Sequence, residues 1–451
     1  NELELTASSL DYENPPAEGV QVQIRVTDLS YTGPGDNYFD QTIDLTLTDD
    51  TSEVTPPERV TVLDEFLINA TTANQQNDPS IAPLSDGGFV AVWQSYNQDN
   101  SYGGIYAQRY DSGSNPVGPE FRVNTETYNS QTHPAVVGLA SGFVVLWDSD
   151  YGDGSGYGVY GQMYNGDGTT SGSEFLVNSS TLYTQNYPGI AALADGGFVA
   201  VWQSQQDGSQ YDIYAKRFDA AGTEVNVPGQ TYSQFMVNSD TANNHYYPVG
   251  AGLSSGGFVI AWQSQNQDGD SWGIYAQRYD ANGAADPAGE FQVNVFTGSA
   301  QQNPAITALS GDRFVITWES YNVSGNGVYG RIYDSNGAPV NGEEFLINTY
   351  TANSQFQPAI AALDGGGFVV AWESQNQDGS SNGVFAQVYD DAGATVGAEF
   401  RVNSATSNYQ GDAAIAALQD GGFVAAWESL YQDGSNEGVY GQRYLLNQPG
   451  V

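Results

Sequence analysis

The chain has 451 residues, and its 53 acidic residues against 11 basic ones give a formal net charge of −42. A surface this acidic repels phosphate backbones and anionic membranes, which excludes a nucleic-acid partner. There is no cysteine, and the longest apolar runs are far shorter than the roughly 20 residues that a membrane-spanning helix needs, so we expect no membrane insertion.

The first 58 residues alternate between predicted strands and an acidic turn, and they resemble the C-terminal half of a cadherin-like module. The resemblance rests on residues 10–13 (L-D-Y-E) for that family's L-D-x-E motif, 25–28 (R-V-T-D) for its A-x-D strand end and 43–50 for its last strand. Because the family binds calcium at module junctions, the resemblance implies calcium ligands at Asp11, Glu13 and Asp49. An ordinary hairpin and strand is the alternative.

A cadherin-like β-sandwich would have about seven strands, as in the immunoglobulin-like architecture, whereas residues 1–58 have room for about four. We therefore expect a partial sandwich whose missing strands come from an adjacent module or a neighbouring subunit. A cadherin-like module beside a repeat domain resembles parts of the large calcium-dependent surface adhesins of Gram-negative bacteria.

Within residues 59–451 one unit recurs seven times, and every copy contains a tryptophan in the same context. These residues are Trp93, Trp147, Trp202, Trp262, Trp318, Trp372 and Trp427, and they lie 54 to 60 residues apart. Because a unit of this kind cannot bury its own apolar faces, a fixed repeat implies that the units stack on their neighbours.

Each unit contains four short runs rich in Val, Phe, Tyr and Trp, separated by Gly, Asp, Asn and Ser, as is typical of strands and turns. The run at 143–147 is continuously apolar, as expected of a strand covered on both faces. Seven such units predict an all-β fold, a seven-bladed β-propeller with four-stranded blades; an open solenoid is the alternative. The last unit lacks a fourth strand and an unpaired copy stands at 65–69, so we expect residues 65–69 to close the ring.

One face of the predicted ring collects loops rich in Asn, Gln, Tyr and Asp-Gly turns, and these loops hold both histidines. Carboxylates and amides that bond hydroxyl groups, with aromatic rings that stack on sugars, favour binding of a carbohydrate or polar peptide. The candidate ligand-binding residues are Trp272, Tyr96, Asp99, Asp153, Asp207, Asp378, Asp433, His133 and His245. Repeated turn chemistry is the alternative for any single loop.

A candidate metal site lies in the loop that also holds Trp272, where Asn266, Asp268 and Asp270 alternate along the chain. Carboxylate and amide oxygens at this spacing can surround an oxygen-preferring cation, and calcium favours such ligands. The sequence therefore predicts calcium binding here, in addition to the junction site that the cadherin-like resemblance implies.

The motifs of common enzyme classes are missing from the sequence, which has no P-loop, no H-E-x-x-H, no cysteine nucleophile and only two, widely separated histidines. We therefore predict a non-enzymatic recognition or adhesion module; a structural subunit of a surface layer or filament and a carboxylate-based glycosidase are the alternatives. Because salt screens the self-repulsion of an acidic chain, we expect an extracellular or cell-surface location, in a marine or halophilic bacterium.

Overall fold

The computed structural model describes residues 25–27, 38–40 and 60–446, apart from residues 231, 323, 324 and 341. The chain divides into two units, Asn1–Thr55 and Pro56–Val451. Among the described residues, no helix is long and apolar enough to cross a membrane.

The first unit is described only at one pair of short strands. Arg25–Thr27 pairs antiparallel with Tyr38–Asp40. The implied calcium ligands Asp11, Glu13 and Asp49 lie outside the described residues, so the cadherin-like module and the adhesin resemblance stay predictions.

The second unit consists of seven antiparallel sheets, which we number as blades 1 to 7 in chain order. Their strands, from first to last, are Gln76–Pro83, Phe89–Tyr96, Gly103–Tyr110 and Pro116–Arg122 in blade 1; Gln131–Leu139, Gly142–Asp150, Tyr157–Asn165 and Thr170–Leu176 in blade 2; Gln185–Ala192, Phe198–Ser204, Asp212–Phe218 and the split pair Glu224–Val225 and Gln234–Met236 in blade 3; His245–Gly252, Phe258–Gln265, Trp272–Tyr279 and Phe291–Gln292 in blade 4; Gln301–Ala308, Phe314–Asn322, Gly325–Tyr333 and Phe345–Leu346 in blade 5; Gln355–Ala362, Phe368–Gln375, Asn382–Tyr389 and Thr395–Arg401 in blade 6; and Gln410–Ala417, Phe423–Leu430 and Glu437–Leu446 in blade 7. A 3-10 turn at Ser310–Asp312 is the one helical segment among the described residues.

Blade 7 takes its outer strand from the residues that precede blade 1. Phe66–Leu67 pairs antiparallel with Gly441 and Tyr440, and the amide of Ile68 donates to the carbonyl of Val439 at 2.8 Å. Val60–Val62 pairs with the end of the same strand, an additional contact that the repeat pattern did not indicate. Both ends of the ring therefore belong to one sheet, which leaves blade 7 without an open edge.

The first strands of the blades surround a central channel. Each of them contacts the first strand of both neighbouring blades, and the first strand of blade 7 contacts that of blade 1. The contacts thus run round a closed ring, and the predicted all-β, seven-bladed propeller with four-stranded blades is confirmed.

The hydrophobic core lies between the blades. The second strands are covered on both faces, so that Phe89–Trp93 is at most 1% exposed, as the continuous apolar run indicates. Seven clusters of buried side chains each combine residues of two adjacent blades. In every blade a phenylalanine of the second strand stacks on an aromatic residue of the third, as Phe89 does on Tyr110 with ring centroids 4.7 Å apart.

The outer strands hold neighbouring blades together through repeated polar residues. Asn124 accepts a hydrogen bond from the Ile105 amide at 2.7 Å and donates to Gln131 at 3.1 Å. Glu174 of blade 2 accepts a bond from the amide of Thr125, which follows blade 1, at 2.7 Å. These repeated asparagines and glutamates therefore maintain the ring.

Candidate functional site

Every blade carries a β-bulge in its first strand, opposite the repeated tryptophan. In blade 1, Asn77 pairs with Gln94 and Ser80 with Val92, so that two residues of the first strand lie opposite Trp93. The first residue of each bulge has a positive φ, between 48° and 53°. We call these seven residues the inner ring; they are Asp78, His133, Tyr187, Tyr247, Asn303, Gln357 and Asp412. Bulges and left-handed residues concentrate at functional sites, where they redirect side chains.

The inner ring surrounds a cavity of about 350 Å³ at one end of the channel. All seven residues line it, together with the prolines that follow six of them and Ala413 in blade 7. First strands begin at this end, so the cavity opens on the face where the interblade loops and the loops between second and third strands emerge. This is the face on which the sequence predicted ligand binding.

A second set of seven side chains, one after each tryptophan, lies buried beneath the inner ring. We call it the support ring; its members are Gln94, Asp148, Gln203, Gln263, Glu319, Glu373 and Glu428, and they are 0–5% exposed. In blades 3 to 6 the support residue accepts a hydrogen bond from the inner-ring amide of the next blade. These bonds are Gln203 to Tyr247 at 3.1 Å, Gln263 to Asn303 at 3.0 Å, Glu319 to Gln357 at 3.1 Å and Glu373 to Asp412 at 2.8 Å. They hold the left-handed backbone in place.

Two support residues bind differently, and they lie on either side of blade 1. Asp148 pairs with Nδ1 of His133 in its own blade at 3.1 Å, whereas Glu428 lies close enough to Asp412, in its own blade, for the charge of Asp412 to raise its pKa. Asp78 of blade 1 lies in the inner ring between His133 and Asp412. We call these five residues the acidic sector.

The surroundings of Asp78, Glu428 and His133 shift the pKa of each of these side chains. Burial raises the pKa of Asp78 to about 6, the positive charge of His133 opposes this, and the charge of Asp412 adds to it. Burial and the contact with Asp412 raise the pKa of Glu428 far above its ordinary value. Burial works against protonation of His133, but its hydrogen bond and ion pair with Asp148 outweigh this and raise the pKa. Asp78 is thus the carboxyl group of this sector whose pKa lies nearest to neutral pH, which is typical of catalytic acids and bases.

The rest of the inner ring divides into an aromatic part and an amide part. The rings of His133 and Tyr187 lie 4.0 Å apart, and Tyr187 meets Tyr247 edge-on at 4.9 Å. On the other side, Nε2 of Gln357 donates to Oδ1 of Asp412 at 2.6 Å. The cavity therefore combines carboxyl, imidazole, phenol and amide groups within reach of one ligand.

The carboxylates predicted to bind ligand in the loops between second and third strands support their own turns. Oδ1 of each one accepts the backbone amide two residues further on, at 2.9–3.2 Å, in Asp99, Asp153, Asp207, Asp378 and Asp433. Tyr96 ends its strand opposite Gly103. The structure thus gives these side chains a turn-forming role, and their binding of a ligand stays a prediction.

The two histidines lie in different environments. His133 belongs to the inner ring, as described above. His245 is fully buried at the position that begins the first strand, where the other six blades have glutamine (Gln76, Gln131, Gln185, Gln301, Gln355 and Gln410), and burial lowers its pKa. Only His133 is therefore in a position to meet a ligand.

Trp272 and its neighbouring loop lie on the channel-mouth face of blade 4. Trp272 begins the third strand opposite Gln265 and is half-buried. Asp268 accepts the amide of Asp270, which in turn accepts the amide of Ser299 at 3.0 Å. Within residues 60–446, as far as they are described, no three His, Cys, Asp or Glu residues cluster as a metal site. Calcium binding by Asn266, Asp268 and Asp270 stays a prediction.

Most of the site was missed at the level of sequence, although a signal exists. The site prediction relied on the loops, whereas the informative variation lies within the regular strands. The residue before the repeated proline (Ala413 in blade 7) and the residue after the repeated tryptophan both change from blade to blade, while the tryptophan and the serine two residues after it stay constant. The unpredicted residues of the two rings are Asp78, Gln94, Asp148, Tyr187, Gln203, Tyr247, Gln263, Asn303, Glu319, Gln357, Glu373, Asp412 and Glu428.

No protein-family model matches the sequence, and no curated protein matches it either. Solved structures do resemble it. An ulvan lyase, described as a new family of polysaccharide lyase, matches with a TM-score of 0.53 and 11% identity over 86% of this chain and 97% of its own. The structure of an ulvan lyase bound to -[GlcA(1-4)Rha3S]- gives 0.52 at 11% identity, with the same coverage. A protein of unknown function from Dyadobacter fermentans gives 0.52 at 9% identity, covering 86% of this chain and 100% of that chain.

These comparisons correct the function predicted from the sequence. The prediction of a non-enzymatic adhesion module, with a surface-layer or filament subunit as its alternative, is wrong: the solved propellers that resemble this chain include polysaccharide-degrading enzymes. At 11% identity the likeness establishes the fold alone, so any activity has to be argued from the channel residues.

Proposed function

We propose that the chain is a carbohydrate-processing enzyme that hydrolyses a glycosidic bond of a neutral polysaccharide at the acidic sector. The observation that carries the proposal is the position of Asp78 in the inner ring, between His133 and Asp412 and over the buried carboxyls of Asp148 and Glu428. Two carboxyl groups in different electrostatic environments are what glycoside hydrolysis requires.

Asp78 is the proton donor in this proposal. With a pKa of about 6 it keeps its proton in mildly acidic solution and can protonate the leaving glycosidic oxygen. The charge of His133 lowers the pKa of Asp78, so it stabilises the carboxylate that proton transfer leaves behind. Water supplies the hydroxyl group that the anomeric carbon gains.

Asp412 is the second carboxyl, and it either directs that water or attacks the anomeric carbon itself. Its side chain accepts a hydrogen bond from Gln357 at 2.6 Å, and its amide donates to Glu373 at 2.8 Å. Both partners belong to blade 6, so the two bonds anchor Asp412 to the neighbouring blade and limit the movement of its carboxyl group. Geometry held in this way contributes to the rate by keeping the reacting groups aligned.

The charge of the molecule supports a neutral substrate. The described residues that line the cavity include neither lysine nor arginine, and the formal net charge of −42 repels polyanions. Three third-strand arginines are engaged elsewhere, because Arg217, Arg278 and Arg443 each pair with an aspartate and donate to a carbonyl of the next blade.

Elimination is a second candidate, favoured by the contact between His133 and Tyr187. Imidazole and phenol groups side by side could remove a proton from a uronic acid and return one to the leaving oxygen. The amides of Asn303 and Gln357 would then have to bind the uronate carboxylate, without help from a lysine or an arginine in the described lining. The ulvan lyases named above, which share the fold, act in this class of reaction.

Product analysis tests the proposal. The purified protein is incubated with laminarin, xylan and arabinan, which are neutral, and with alginate, which is a polyuronate. We expect new reducing ends from a neutral polysaccharide without the ultraviolet absorbance of an unsaturated sugar. Unsaturated product from alginate would replace hydrolysis by elimination, and a folded protein that releases nothing from any of the four would contradict both.

A further inference from the structure

Two positions of the repeat are aromatic on blades 2, 3 and 4 and are not aromatic on the other four. One is the inner ring, where these three blades have His133, Tyr187 and Tyr247. The other lies within one residue of the start of the third strand; from blade 1 to blade 7 it is Gly103, Tyr157, Tyr211, Trp272, Asn326, Asn382 and Glu437. The backbone is the same in all seven blades, so the blades differ at these positions only in their side chains.

The aromatic side chains of blades 2 to 4 form a continuous path from the channel to the outer loops. Beyond Tyr247, the path continues to Tyr246 with ring centroids 6.2 Å apart. Tyr246 then meets Trp272 at 5.4 Å and Tyr211 at 5.0 Å. All of these rings are at least partly exposed. We call this path, from His133 to Trp272, the aromatic arc.

The polar half of the same face differs in a complementary way. At the two repeat positions, blades 5 and 6 present amide side chains, Asn303 and Gln357 in the inner ring and Asn326 and Asn382 further out. Amides bond hydroxyl groups, and flat aromatic rings cover the apolar faces of sugar rings. At these two positions neither half carries a lysine or an arginine, so His133 is the one side chain among them that can be positively charged.

We infer that an extended neutral polysaccharide lies along the aromatic arc, with several sugar units on blades 2 to 4 and its scissile bond at the acidic sector. The inference rests on the proposed function for the position of the cleaved bond. The inference is supported by the position of His133, which is the first residue of the aromatic arc and also a member of the acidic sector. Trp272 then binds the sugar unit farthest from the reaction.

Binding in native gels that contain laminarin, xylan, arabinan or alginate tests the arc without reference to catalysis. At least one neutral polysaccharide slows the wild-type protein, and Trp272→Ala raises the dissociation constant about tenfold or more, as loss of a central aromatic contact does. Tyr211→Ala has a smaller effect in the same direction. Asn326→Ala, which changes the equivalent position on blade 5, leaves the retardation unchanged.

Trp272→Phe and melting curves control for folding, since phenylalanine keeps a flat ring and recovers part of the affinity if stacking is the cause. The inference is overturned if no neutral polysaccharide slows the wild-type protein, or if Trp272→Ala and Tyr211→Ala bind as tightly as wild type. Binding that depends on Trp272, without release of any product, leaves the arc in place and contradicts the proposed function. Hydrolysis that is unaffected by both variants contradicts the arc alone.

Discussion

The propeller has two regions: one consists of blades 7, 1 and 2, and the other of blades 3 to 6. Their backbones are alike, but the buried residue after each tryptophan has different partners in the two regions. In blades 3 to 6 that residue accepts the backbone amide of the next blade, as Glu373 accepts Asp412. In blade 2, Asp148 binds the side chain of His133 instead, and in blade 7 Glu428 is influenced by the charge of Asp412 in the same blade. A repeat protein can therefore build a site by changing the surroundings of two buried side chains while its strands stay the same.

Backbone strain does not separate the two regions. All seven inner-ring residues have φ between 48° and 53°, a left-handed conformation that costs about 1 to 3 kcal/mol for each residue other than glycine. The bulge aims every inner-ring side chain at the channel, and the identity of the side chain decides what each blade contributes. The chemical difference between the regions is thus testable by single substitutions.

Replacing the carboxyl group of Asp78 tests most directly whether the region of blades 7, 1 and 2 is catalytic. Asp78→Asn keeps the shape of the side chain and cannot protonate a leaving group, so we expect kcat to fall about 10²- to 10⁴-fold. The release of reducing ends measures it. Asp364→Asn changes an exposed aspartate in a turn on the opposite face and serves as control. An Asp78→Asn enzyme with nearly full activity would remove Asp78 from the mechanism.

Glu373 tests the region of blades 3 to 6 through stability. Burial raises its pKa from 4.5 to about 7, so between these values the folded protein holds a proton that the unfolded chain has released. The free energy of unfolding therefore falls as the pH rises from 4.5 to about 7, and it is flat above.

Glutamine accepts the same kind of bond at this position in blades 3 and 4 and carries no charge. Glu373→Gln should therefore stabilise the protein by up to about 3 kcal/mol at pH 8 and change little at pH 4. Denaturant titrations at the two pH values measure the difference. Equal effects at both would mean that the carboxyl of Glu373 is not the group that titrates.

His133 tests the electrostatic part of the comparison. If Asp78 donates the proton, kcat/KM falls as the pH rises above about 6. His133→Gln removes the positive charge that lowers the pKa of Asp78, so the falling limb of the profile should move to higher pH. We also expect kcat/KM to drop about tenfold, because the carboxylate that Asp78 forms on proton transfer is less stabilised.

His245→Gln is the matched control, since it restores the glutamine of the other six blades and lies away from the cavity. Its pH profile should coincide with that of the wild-type enzyme. If the fall of kcat/KM in the His133→Gln variant occurs at the same pH as in the wild-type enzyme, His133 does not influence the pKa of Asp78.

Sequence patterns predicted the fold well because the repeat records packing. The apolar run that ends in each tryptophan gave the two-sided burial of the second strand, and the spare copy at 65–69 indicated where the ring closes. The site was harder to predict because a bulge opposite each tryptophan leaves no mark in an alternating pattern. His133 was identified from its chemistry alone, whereas Asp78 and Asp412 look like ordinary loop carboxylates until the bulge places them at the channel.

Blade 7 is also where the two ends of the ring meet, because residues 60–62 and 66–67 pair with its last strand. We expect the smallest effect of the series here. Glu65 accepts the amide and hydroxyl of Ser404 at 2.7 and 2.8 Å, and Glu399 accepts the same groups of Thr349 at 2.6 and 3.0 Å. Either glutamate changed to glutamine should destabilise the protein by about 0.5 to 1.5 kcal/mol. Only the Glu65 variant opens a contact between distant parts of the chain, so it alone should speed hydrogen exchange at residues 60–69. Equal exchange in both variants would mean that the paired strands at 60–62 and 66–67 hold the two ends of the ring together without Glu65.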